Sequence, residues 1–183
     1  MSTSILEKIK TRFPAKKEIL PVHGTIMFII FTWSILILLW KLPSWLNYLS
    51  LLEILGIVAY VLVEDFFEGL FVLIFVIFVG FVLPFDAMRK SFKAKAIAFI
   101  IVLTFWVGLF NYILAWKHST VWELFVMGLI SVIVIIGILF LVSRIKLFER
   151  GLSILGEKMS VFVYLYSLLS VVSLVFVVLR NVL

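Results

Sequence analysis

Long uninterrupted apolar runs, rather than alternating polar and apolar positions, dominate the chain. Six stand out: 22–40, 45–63, 66–85, 96–116, 121–143 and 159–179. Each approaches the roughly 20 residues that a helix needs to cross the hydrocarbon core of a bilayer. Runs 22–40, 96–116 and 159–179 contain no charged residue, and 121–143 contains Glu123 near its start. A membrane β-barrel reads instead as alternating segments of about ten residues, and LFVLIFVIFVGFVL (70–83) does not fit that pattern. The runs predict an all-α integral membrane protein, a polytopic helical bundle with five or six crossings.

Two further segments have helical periodicity without the length to span. In 2–13, Ile5, Leu6, Ile9 and Phe13 share one face and Lys8, Lys10 and Arg12 the other, with Ser4 and Glu7 spaced for a capping box. In 143–158, Ile145, Phe148, Leu152 and Leu155 recur opposite Arg144, Arg150 and Glu157. Both suit short amphipathic helices on an anionic membrane surface, and equally suit packed connectors. The chain divides into a basic amphipathic segment, 1–20, and a helical transmembrane domain, 21–183.

Charge placement bears on the number of crossings. Basic residues concentrate in 1–20, 86–95 and 144–158, and such segments mark the cytoplasmic face of a membrane protein. Six crossings would put the first segment opposite the other two and divide the basic residues almost evenly. Five crossings put all three on one face, leaving Lys41, Lys117 and Arg180 of the 16 basic residues on the other. Run 45–63 is then the exception, because Asn47, Ser50, Glu53 and Gly56 form a polar or small stripe at steps of three. It is expected to be re-entrant or to lie along the outer interface, with VLVEDFFEGLFV (61–72) as a bend. A competing pattern favours six: FIIFTWSILILLWKLPSW (28–45) and FIIVLTFWVGLFNYILAWKHSTVW (99–122) both end a helix in Trp-Lys. An inverted three-plus-three repeat would look like this.

The acidic residues are the candidate chemistry. Glu53, Glu64, Asp65 and Glu68 could form an ion or proton site. A charge in the hydrocarbon region costs at least about 2.5–3.5 kcal/mol and calls for a function, and Glu64 and Glu68 share a helix face at i and i+4. The simpler expectation is that they sit hydrated at the outer interface, or pair with Lys41 or Lys117.

Composition narrows the rest. With 65% hydrophobic and 14% charged residues and a mean hydropathy of +1.30, the chain is far more apolar than soluble domains. No cysteine is present, which excludes disulfides and thiolate chemistry. His23 and His118 are the only histidines, and both fall at segment ends, unsuited to a shared haem. No catalytic, cofactor-binding or metal-binding set is predicted, and no cofactor. Trp40, Trp45, Trp116 and Trp122 cluster at two connectors, as interfacial anchors do. Ser160, Ser167, Ser170 and Ser173 mark a packing face on the last helix. The net charge of +6 is explained by the basic loops, so no nucleic-acid partner is implied.

The expected partners are the lipid bilayer together with other membrane subunits or further copies of the chain. The expected location is the cell membrane, multi-pass, with the N-terminus cytoplasmic. Three function classes follow: a non-catalytic subunit or assembly component of a membrane complex, a small ion- or proton-coupled transporter or channel using the acids, and an enzyme acting on lipid. The absence of any catalytic constellation puts the first ahead. The sidedness has a direct test, since single cysteines can be introduced without background. Positions 12, 92 and 147 should all react with an impermeant thiol reagent from one face, and labelling of any two from opposite faces would rule out five crossings.

Overall fold

The computed structural model describes residues 14–82, 91–116 and 121–182. Those residues are helical apart from short connecting positions, with no strand among them. The helices are α1 (Lys16–Trp45), α2 (Leu51–Val82), α3 (Phe92–Trp116), α4 (Val121–Arg144), α5 (Lys146–Met159) and α6 (Val161–Val182). Five helical stretches are long and apolar enough to span a membrane, one of them Lys146–Val182, which takes in α5 and α6 together. The amphipathic stretch at 2–13, with its Ser4–Glu7 capping box, lies outside the described residues.

The six predicted segments become five because a single helix, Leu51–Val82, takes in most of 45–63 and the described part of 66–85. The expectation of a re-entrant or interfacial 45–63, with a bend at 61–72, is therefore corrected: α2 runs 32 residues without a break, about 48 Å at 1.5 Å per residue. The acids do not interrupt it because charge alone does not break a helix, and glutamate is a good helix former. Gly69, the one turn-type residue in that stretch, is a packing residue. A Cβ there would meet Met27 Sδ at 2.9 Å, so its absence lets α1 and α2 approach. Residues 46–50 form the α1–α2 connector, in which Asn47 Nδ2 donates to the Pro43 carbonyl at 3.2 Å.

The helices form two units joined at one end. α1, α2 and α6 pack against one another, with Phe31 stacked on Tyr166 at 4.2 Å between ring centroids and Phe28 against Phe162 at 4.8 Å. Met27, Phe31, Leu62 and Tyr166 are the buried centre of this unit. α3 and α4 form an antiparallel hairpin in which Ala94 and Ala98 pack on Val142. The hairpin joins the first unit through its lower half, where Phe92, Ala96, Ile97, Phe99 and Ile100 are buried with Val22, Ile26 and Val76. Beyond Leu103 the exposed side chains of α3 are mostly apolar, Phe105, Val107 and Leu114 among them.

α5 closes that shared end. Ile145 adopts an extended conformation (φ −104°, ψ 100°) that separates α4 from α5. Leu152 and Leu155 then pack on the α1–α3 core, so that half of the apolar face read from the sequence turns inward, while Ile145 and Phe148 stay exposed. Lys93 Nζ pairs with Glu157 Oε1 at 2.6 Å, and the Ser91 hydroxyl donates to Glu149. Ser91 lies in the left-handed region (φ 71°), uncommon for a residue with a side chain. The foot of α1 meets the α5–α6 junction so closely that a Cβ on Gly24 would lie 2.6 Å from the Met159 carbonyl carbon.

These contacts place Lys16, Lys93, Arg144 and Lys158 at one end of the bundle, the foot, and the Trp40 and Trp122 positions at the other, the head. α1 and α3 both start at the foot, and α2 and α4 both start at the head. The resemblance of 28–45 to 99–122 is thus that of two helix pairs running the same way, and the inverted three-plus-three arrangement is corrected. Gly24→Ala should lower stability by about 1–3 kcal/mol, the usual range for overpacking against backbone. Gly108→Ala, where nothing lies within 4 Å of the added carbon, should leave the unfolding midpoint in mild detergent nearly unchanged.

Candidate functional site

The four acids separate into three environments. Glu53 stands apart at the start of α2, where it closes a capping box with Ser50. Its Oε2 accepts from the Ser50 backbone N–H and from the Ser50 hydroxyl, both at 2.8 Å, while Ser50 Oγ accepts from the Glu53 N–H at 3.4 Å. The two side chains satisfy backbone donors that the first helical turn leaves unpaired. The motif was legible as Ser50-x-x-Glu53 in the sequence, but within a presumed apolar run it read as a polar stripe.

Twelve residues later, about 18 Å along α2, Asp65 turns into the bundle. It is 3% exposed, and its Oδ1 accepts a hydrogen bond from the Ser34 hydroxyl of α1 at 2.7 Å. Its Oδ2 is buried with no hydrogen-bond partner. One turn toward the head, the Ser170 hydroxyl of α6 donates to the Leu62 carbonyl at 3.1 Å, and Ser173 is also buried. Ser170 and Ser173 thus form the packing contact expected of the α6 serines. Ser160, by contrast, caps α5 and donates to the Glu157 carbonyl at 2.6 Å. Sequence reading missed Ser34, whose signal was slight: a hydroxyl close to Thr32 in a mostly apolar stretch of α1.

Glu64 and Glu68 are exposed on the outer side of α2, and neither is ion-paired to a described residue. Their charges bear on Asp65, as neighbours on the same two turns must. Among the described residues no three acidic or imidazole side chains converge as a metal site would require.

The height of these groups follows from the packing register. Gly24 sits beside Met159 and Ser160 at the foot of α6. Ser34 lies ten residues further along α1, about 15 Å. The charge-free stretch 159–179 is about 30 Å long by the same rise, so Ser34 and Asp65 lie near its middle. The expectation that the acids sit at the outer interface is corrected for Glu64, Asp65 and Glu68, because packing places the midpoint of α2, not its end, at the centre of the bundle; Glu53, in the first turn of α2, stands at the head end. Lys41 lies near the head of α1, and Lys117 and His118 are outside the described residues. His23, half-buried near the foot, has an Nε2 without a partner.

No family model, curated protein or solved structure matches the chain, so its function is read from this geometry. Ser34→Ala should destabilise the protein by about 1–3 kcal/mol, because it strips a buried carboxylate of its one hydrogen bond. Ser50→Ala, removing the α2 cap, should cost about 0.5–2 kcal/mol. The sites are far enough apart that the double variant should show the sum to within about 0.5 kcal/mol, and a larger departure would mean that α2 does not behave as one helix.

Proposed function

We propose that the chain is a membrane-embedded, non-catalytic subunit or assembly component of a larger complex. The observation that carries this reading is the exposure of Glu64 and Glu68 midway along a bundle whose outer surface is otherwise largely apolar. Phe71, Phe105, Ile133, Phe140 and Leu168 are among the many large exposed apolar side chains. Such a surface suits lipid and would aggregate in water. Two carboxylates facing lipid at that height would each cost at least about 2.5–3.5 kcal/mol, a penalty that a covering partner removes. The basic foot faces the cytoplasm under the positive-inside rule, and the aromatic residues of the head, Trp40, Tyr48 and Trp122, anchor the opposite interface.

Asp65 favours a second reading, an ion- or proton-coupled transporter or channel. A buried carboxylate with one free oxygen at mid-height is what a proton relay requires. Against it, α2 carries no helix break of the kind that frames most transporter sites. Extraction from the native membrane in mild detergent separates the two. The subunit reading expects recovery in a larger assembly with partners in fixed ratio. Isolation as a lone monomer that moves protons or cations across liposomes would overturn it in favour of the second.

A further inference from the structure

We infer that the α2 face bearing Glu64 and Glu68 receives a transmembrane helix of another protein that carries a lysine or arginine midway along its length. The inference rests on the membrane-subunit reading and names the chemistry of the partner.

Charge complementarity decides the occupant. The described cations of this chain lie at its two ends. Lys93 and Lys158 belong to the foot, while Lys41 and Arg180 belong to the head. The Arg180 guanidinium packs against Gly56, eight residues and about 12 Å along α2 from Glu64. The middle of the bundle therefore holds acids without a described counter-charge. Asp65, on the same turn but turned onto Ser34 of α1 and away from this face, is a third acid at that height without a described counter-charge. It is almost wholly buried, its neighbours Glu64 and Glu68 share its charge, and its Oδ2 has no partner.

A second copy of the chain would bring its own Glu64 and Glu68 to the contact and set like charges together, which disfavours association. An all-apolar helix would bury the carboxylates unpaired. A helix with one central ammonium or guanidinium group satisfies both glutamates, and it packs its apolar residues on Phe67 and Phe71, which are exposed on the same side of α2. In a medium that excludes water such a charge pair keeps most of its attraction.

The test uses the full chain in phosphatidylcholine vesicles, labelled with a donor dye at a cysteine replacing Phe78. The probes are acceptor-labelled leucine–alanine transmembrane peptides of about 22 residues. One carries a central lysine, one has its lysine moved to an end, and one has none. Energy transfer should show the central-lysine peptide associating about tenfold more tightly than either control, a size set by the strongest polar contacts measured between membrane helices. The preference should vanish in E64Q/E68Q. Because the three peptides are compared on the unmodified acids as well, the result does not depend on that variant folding. Equal association of all three peptides would overturn the inference, as would displacement of the central-lysine peptide by unlabelled chain, which would make a second copy the occupant. Neither outcome touches the subunit reading, which stands or falls on the native extraction.

Discussion

A carboxylate midway along an apolar helix must be hydrogen-bonded, neutralised or covered, and α2 carries three of them within five residues. One is turned inward onto Ser34, where α1 supplies the hydroxyl. Two are turned outward and exposed. Helical geometry imposes this division: residues 64 and 68 share a face while 65 is rotated by about 100°. Burying Asp65 against α1 therefore exposes the glutamates. The close α1–α2 contact at Gly69 and the placement of Ser170 on the Leu62 carbonyl follow from the same register. Each brings a small residue or a hydroxyl to the centre of the three-helix unit.

The foot of the molecule is held by different forces. There α5 bridges the two helical units with apolar contacts through Leu152 and Leu155 and polar ones through Glu149 and Glu157. The ion pair between Lys93 and Glu157 is exposed on its acidic side, so it contributes little by itself. With the units joined at the foot and the α3–α4 hairpin exposed beyond Leu103, large exposed apolar side chains such as Phe105, Val107 and Leu114 extend toward the head.

Much of this was readable from residue order alone. Helical class, the membrane-type surface, the amphipathic α5 and the gathering of basic residues at one end all follow from hydropathy and charge pattern, because these depend on what a segment can bury and need no knowledge of neighbours. The same holds for the cap at Ser50 and Glu53, a local motif. Local reading erred where it treated Glu64, Asp65 and Glu68 as a break, since a drop in hydropathy looks the same whether the chain turns or an acid meets a hydroxyl from another helix.

What only the tertiary structure decided is which way each acid faces and at what height. Ser34 lies 31 residues from Asp65, and no periodicity within either helix specifies that pairing. It is set by the packing register, in which Gly69 admits Met27, Gly24 admits the α5–α6 junction and Phe31 stacks on Tyr166. Segment type was determined by the sequence itself, because burial against lipid is a property of each segment alone. The chemistry at the centre was not, because it arises from contacts between segments, and those exist only once the helices are packed.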